Sequence, residues 1–289
     1  MKVLLGAIAG LLLGLTTAQA ADKVSVVAAE NFYGNIATQI GGDRVAVASI
    51  MSNPDQDPHL FEVSPAIVRQ VAGAQIVVYN GADYDPWMER LLKVTPKASR
   101  TTIVAADLVS RKAGDNPHLW YDPATMPAVA TVLASSLAAA DPSHKGDYEA
   151  RLRTFLTSLE PLNKKIATLH DKFTGTPVTA SEPVFGYMAD ALGLQTRNQR
   201  FQLSIMNDTE PSARDVAAFE QDLKTHQVRM MLYNKQASNK IVQRLTALAR
   251  AANIPVVGVT ETAPPGASYQ DWMLNQLDDV QRALGGPSS

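Results

Sequence analysis

The chain has 289 residues, of which 46% are hydrophobic and 19% charged, with a formal charge of -2. That is ample material for a buried core, and the balance gives no electrostatic footprint for nucleic acid. It contains no cysteine, which excludes disulfides, thiolate metal sites and lipid attachment through an N-terminal cysteine.

Lys2, the apolar run Val3 to Leu15 and then Thr16-Thr17-Ala18-Gln19-Ala20-Ala21 have the order of a secretory signal, with cleavage expected after Ala20. The run is short for a membrane span and no later stretch approaches spanning length. A mature chain of about 269 residues, enough for two lobes, is expected free in a periplasm, and a Gram-negative source fits the missing anchor.

The mature start, Lys23 to Ala29, reads as a strand, followed by Glu30-Asn31-Phe32-Tyr33-Gly34 and a helix to Ile40. Val45 to Ile50 predicts a second strand, and Ser64-Pro65 opens a helix with proline at its favoured first position. Ala74 to Gly81 is a buried strand with a glycine stop, Trp87 to Val94 a helix and Thr101 to Val104 a short strand. This alternation predicts a parallel sheet covered on both sides. From Asp141 to Thr174, apolar residues spaced three and four apart predict one long helix of roughly 45 Å, with Pro161 positioned to kink it. Strand and helix then alternate again: strands at Pro177 to Ala180, Val228 to Tyr233 and Pro255 to Val259, and helices at Tyr187 to Leu192 and near Ser212 to Thr225, Asn239 to Ala252 and Tyr269 to Leu284. The expected fold class is α/β, two doubly wound lobes with parallel sheets joined by one long helix. The expected units are a signal peptide (1–20), an N-terminal lobe (21–140), the linking helix (141–174) and a C-terminal lobe (175–289). Ligands of such lobes bind outside the carboxyl ends of the strands, so a site in the interlobe cleft is expected.

Asp57-Pro58-His59-Leu60-Phe61 and Asn116-Pro117-His118-Leu119-Trp120 repeat one pattern in a chain with only five histidines. Proline fixes its own φ and drives its predecessor toward extended geometry, so each imidazole leaves a stiff frame in a set direction. Two acids follow short strands directly, Glu182 after Val178 to Ser181 and Glu261 after Val256 to Thr260. A cleft shell of His59, His118, Glu182 and Glu261, two imidazoles and two carboxylates, suits a divalent first-row ion. Taken alone, Glu182 reads equally as a helix N-terminal carboxylate, and Glu261 as an exposed loop acid. His144, His170 and His226 fall on or beside helices and read as solvated residues. Phe61, Trp120, Phe185 and Tyr187 read either as core or as a dry wall around the site. Asp122 is a candidate partner for a ligand imidazole, and Asn207, Asp208 and Glu210 read as capping residues.

The set Glu30-Asn31-Phe32-Tyr33-Gly34, Asp57-Pro58-His59-Leu60-Phe61-Glu62, Asn80-Gly81, Asn116-Pro117-His118-Leu119-Trp120 with Asp122-Pro123, Ser181-Glu182 before Phe185-Gly186-Tyr187, and Glu210-Pro211-Ser212 spans almost the whole mature chain. It resembles the helix-linked (cluster A-I) solute-binding proteins that deliver zinc or manganese to ABC importers. The resemblance implies one histidine from each Pro-His motif, a histidine or glutamate after the first strand of the second lobe, an aspartate after a late strand, and an ABC permease as partner. It implies transport without catalysis. Glu182 stands where zinc-type members carry histidine, as in manganese-type members, and Glu261 aligns where most carry aspartate. The chain also lacks a His-rich acidic loop between Ala82 and Pro117. A carboxylate in place of an imidazole hardens the site, so manganese is expected ahead of zinc, with iron behind both. A monomer is expected. Two other readings stay open on the residues: a secreted zinc hydrolase using both histidines and a carboxylate, and an adhesin or storage role. An open coordination position would mark the hydrolase, a filled one the transporter.

Overall fold

The computed structural model describes residues 23–53, 61–236 and 239–285. The signal peptide expected at 1–20 and His59 lie outside the described residues.

The first half consists of β1 (Val24–Glu30), α1 (Asn31–Gly41), β2 (Val45–Met51), α2 (Pro65–Gly73), β3 (Ile76–Tyr79), α3 (Pro86–Val94) and β4 (Thr101–Val104). The strands form a parallel sheet in the order β2-β1-β3-β4. β3 is buried along its whole length and β1 in all but one residue, as befits central parallel strands written as continuous apolar runs. Because the chain leaves β1 to one side and returns on the other, the sheet has its topological switch between β1 and β3. Glu30 ends β1 and Asn80 follows β3 at that point.

Next come α4 (Ala105–Leu108) and α5 (Thr125–Ala140), then α6 (Lys145–Ser158) and α7 (Glu160–Phe173). The single helix expected over 141–174 is thus two helices, preceded by a turn of 3-10 helix at Pro142–His144. The break falls at Leu159. Pro161 has no N–H for the carbonyl four residues back, and its ring crowds that carbonyl, so the ladder stops and restarts with proline in the first turn of α7.

The second half repeats the first in β5 (Pro177–Ala180), α8 (Gly186–Ala191), β6 (Gln195–Arg197), α9 (Gln199–Met206), α10 (Ala213–Lys224), β7 (Met231–Asn234), α11 (Lys240–Ala251), β8 (Val256–Val259) and α12 (Tyr269–Gly285). Its parallel sheet runs β6-β5-β7-β8, with the switch between β5 and β7. The cap of α10 is Ser212, whose hydroxyl accepts from Asp215 N, and not Asn207, Asp208 or Glu210. Among the described residues no helix is long and apolar enough to cross a membrane.

The two halves share a main core, while Phe201, Phe219 and Leu245 belong to a separate cluster within the second half. Phe32 lies 4.7 Å from Trp120 and 6.0 Å from Trp272 of α12, and Tyr121 lies 5.1 Å from Phe185. α1 adds a polar seam at positions four apart. Asn31 donates to Ala263 O (2.8 Å) and accepts from Ala263 N (3.0 Å), Asn35 accepts from Tyr269 N (3.0 Å), and Gln39 exchanges two hydrogen bonds with Gln270. Apolar stacking and paired amides together hold the halves in one register.

Candidate metal centre

His118 enters from a loop that its own motif stiffens. Asn116 Oδ1 accepts from His118 N at 3.2 Å and lies 2.6 Å from Nδ1. A carbonyl oxygen accepts only, so Nδ1 carries a proton, and in the neutral ring Nε2 then holds the lone pair, the tautomer that binds a metal through Nε2. Asn80 holds the same motif to the end of β3: its amide donates to Pro117 O (2.8 Å) while its Oδ1 accepts from Tyr33 (2.8 Å). The ring is wholly buried, edge-on to Trp120 with centroids 5.4 Å apart. Nε2 makes no hydrogen bond among the described residues and lies 3.6 Å from Glu261 Oε2.

Glu261 follows β8 and is fully buried, contrary to the reading as an exposed loop acid. Its Oε1 accepts from Asn234 Nδ2 at 2.5 Å and its Oε2 from the Tyr84 hydroxyl at 3.0 Å. Gln236 Oε1 accepts from Glu261 N at 2.6 Å, which fixes the backbone as well. Glu182 follows β5, is 3% exposed, and accepts from the same Asn234 amide at 3.1 Å. Asn116 Nδ2 donates to Pro183 O at 2.8 Å, so the His118 motif grips the residue beside Glu182 across the cleft.

His118, Glu182 and Glu261 therefore meet where the carboxyl ends of the two sheets face one another. Among the described residues they do not close into a three-ligand metal shell by themselves. A carboxylate pair beside an imidazole lone pair suits a divalent cation.

One layer deeper, Glu30 and Asp85 are both buried. Asp85 accepts from Asn80 N (2.7 Å) and Gly81 N (2.8 Å), bracing the loop that carries Tyr84. Burial pushes the Asp85 carboxyl up to about 7, and burial followed by the Asp85 charge holds Glu30 well above the usual carboxylate range. Burial, then the Glu261 charge, raises the Tyr84 phenol, so it remains a neutral donor.

Asp122 does not touch the imidazole; it accepts from Ala124 N (3.0 Å) and pairs with Arg111 (3.5 Å), leaving the imidazole to Asn116. Phe61 packs on Trp87 at 4.5 Å, and the Tyr187 hydroxyl donates to Asn116 O at 2.7 Å. His144 pairs with Asp141 at 2.7 Å, and His170 lies 3.7 Å from Asp171. Asn234, Gln236, Tyr84 and the Glu30–Asp85 pair were not singled out as site residues from sequence. The signal for Asn234 is a buried strand ending on an amide at the sheet's switch point.

Residues 26–283 match the family described as zinc-uptake complex component A, periplasmic (ZnuA). The chain belongs to the ZnuA family. ZnuA proteins are components of an uptake complex, which sets the chain among transport proteins and not among hydrolases. The manganese ABC transporter substrate-binding lipoprotein PsaA of Streptococcus mitis is 25% identical, covering 94% of this chain and 92% of its own length. The iron ABC transporter substrate-binding lipoprotein MtsA of Streptococcus pyogenes serotype M1 is 24% identical over 98% of both. In fold, the chain is similar to the periplasmic zinc-binding protein TroA of Treponema pallidum, with a TM-score of 0.76 at 18% identity, covering 91% of this chain and 99% of that one. The α/β class, two lobes each with a parallel sheet, is the one expected from the sequence, while the fourth strand of the second sheet, β6, was not expected.

Proposed function

We propose that this ZnuA-family chain captures one divalent transition-metal ion between lobes 21–140 and 175–289, linked by 141–174, and hands it to an ABC permease. His118, Glu182 and Glu261 are three of its ligands and His59 the fourth. The observation that carries the reading is the buried His118 Nε2, fixed by Asn116 in its metal-binding tautomer and facing the Glu261 carboxylate at 3.6 Å. The chain acts as a monomer in the periplasm after cleavage behind Ala20. Manganese is the preferred cargo, zinc next and iron third, because the two carboxylates harden the shell. The relatives' own names span all three metals.

The test is metal content of the chelator-stripped protein after competitive reloading with manganese, zinc and iron, for wild type and Glu182→His. One equivalent of manganese in the wild type, replaced by zinc in the variant, is expected. No stoichiometric metal in the wild type would refute the function, and zinc in both proteins would refute the role of Glu182 in selection.

A further inference from the structure

Asn234 is 1% exposed and every polar atom of its amide is committed. Oδ1 accepts from Gln236 N at 3.0 Å, which orients the amide with Nδ2 toward the two carboxylates. Nδ2 then donates to Glu182 Oε2 (3.1 Å) and Glu261 Oε1 (2.5 Å), while Asn234 N donates to Ser181 Oγ (3.0 Å). One neutral amide thus holds both acids by one oxygen each.

A carboxylate oxygen that accepts a strong hydrogen bond is a poorer metal donor, and bidentate binding needs both oxygens turned to the ion. Glu261 is restrained twice, through Oε1 by Asn234 and through Oε2 by Tyr84. Four-coordinate shells of nitrogen and oxygen suit zinc, whereas manganese prefers about six oxygen-rich positions. We infer that Asn234 is a specificity-determining positioning residue that keeps Glu182 and Glu261 monodentate, lowering the coordination number and reducing the manganese preference the carboxylates would otherwise give. This rests on the metal-binding reading above. Removing the amide releases Glu182 Oε2 and Glu261 Oε1 from its hydrogen bonds, so manganese gains relative to zinc.

The test is the ratio of manganese to zinc affinity, by chelator competition, in wild type, Asn234→Leu and Asn234→Ser, with thermal melts of the metal-free proteins to verify folding. Two variants are used so that one misfolded protein does not end the test. A ratio shifted toward manganese by about tenfold or more, the usual size for outer-sphere changes, is expected. Equal loss of both metals, or no change, would show a scaffold role only and overturn the inference. Cobalt(II) loading gives a second readout: the strong visible absorption of low-coordinate cobalt is expected in wild type and should weaken in both variants, while identical spectra would contradict the proposal. A wild type that binds neither metal would instead overturn the underlying function, before any variant is compared.

Discussion

Tyr84, from the first lobe, donates its hydroxyl to Glu261 of the second across 3.0 Å, so a candidate ligand is aimed by a residue from the far side of the cleft. Burial keeps the phenol protonated and a donor. Tyr84→Phe removes the bond without changing the ring. The expected outcome is zinc affinity lower by about tenfold and metal-free stability lower by about 1 kcal/mol, read by chelator competition and urea unfolding.

The polar seam of α1 should matter for stability more than for metal. Asn31→Ala leaves the N–H and C=O of Ala263 without their partner and should cost about 1–3 kcal/mol. Gln39→Ala should cost less, because Gln270 also donates to Ser158 at 2.6 Å. Equilibrium unfolding of the two variants checks the order.

The Glu30–Asp85 pair gives a pH dependence with a definite sign. In the unfolded chain both titrate near about 4; in the folded chain both are raised, Asp85 to about 7. The folded state binds more protons above the unfolded range, so the pair's contribution is fully present below about pH 4 and is lost as pH rises through about 7 for Asp85 and through the raised range of Glu30. Glu30→Gln should flatten this fall in urea-melt stability between those limits. Asp141, pulled down to about 2 chiefly by the Ser143 hydroxyl, has the opposite sign in a lower window and does not confound the comparison.

Gly81 sits at φ +75°, and a Cβ there would come within 2.7 Å of Val104 Cγ1. Its N–H is also held by Asp85. Gly81→Ala should therefore destabilise by about 1–3 kcal/mol, seen as a lower melting temperature of the metal-free protein.

The sequence made the central strands legible, because β1 and β3 are apolar runs bounded by polar turns. It did not reveal β6, three residues of Gln195-Thr196-Arg197 at a sheet edge, where exposure leaves no apolar pattern. It missed the helix break, because the spacing of apolar residues continues through Leu159 while only Pro161 marks the stop. At the site, the imidazole frame was visible in the Pro-His motif, and the acids followed strands as expected. The amides that orient them were not visible. Asn234 and Gln236 act through contacts with residues 181, 182, 261 and 262, and such distant pairings leave no local pattern.

The most direct test is a crystal structure of the manganese-loaded mature protein with anomalous diffraction locating the ion. One anomalous peak within about 2.0–2.3 Å of His118 Nε2 and of an oxygen from each of Glu182 and Glu261 is expected. A peak bound elsewhere, or one at this cleft without His118, would contradict the account.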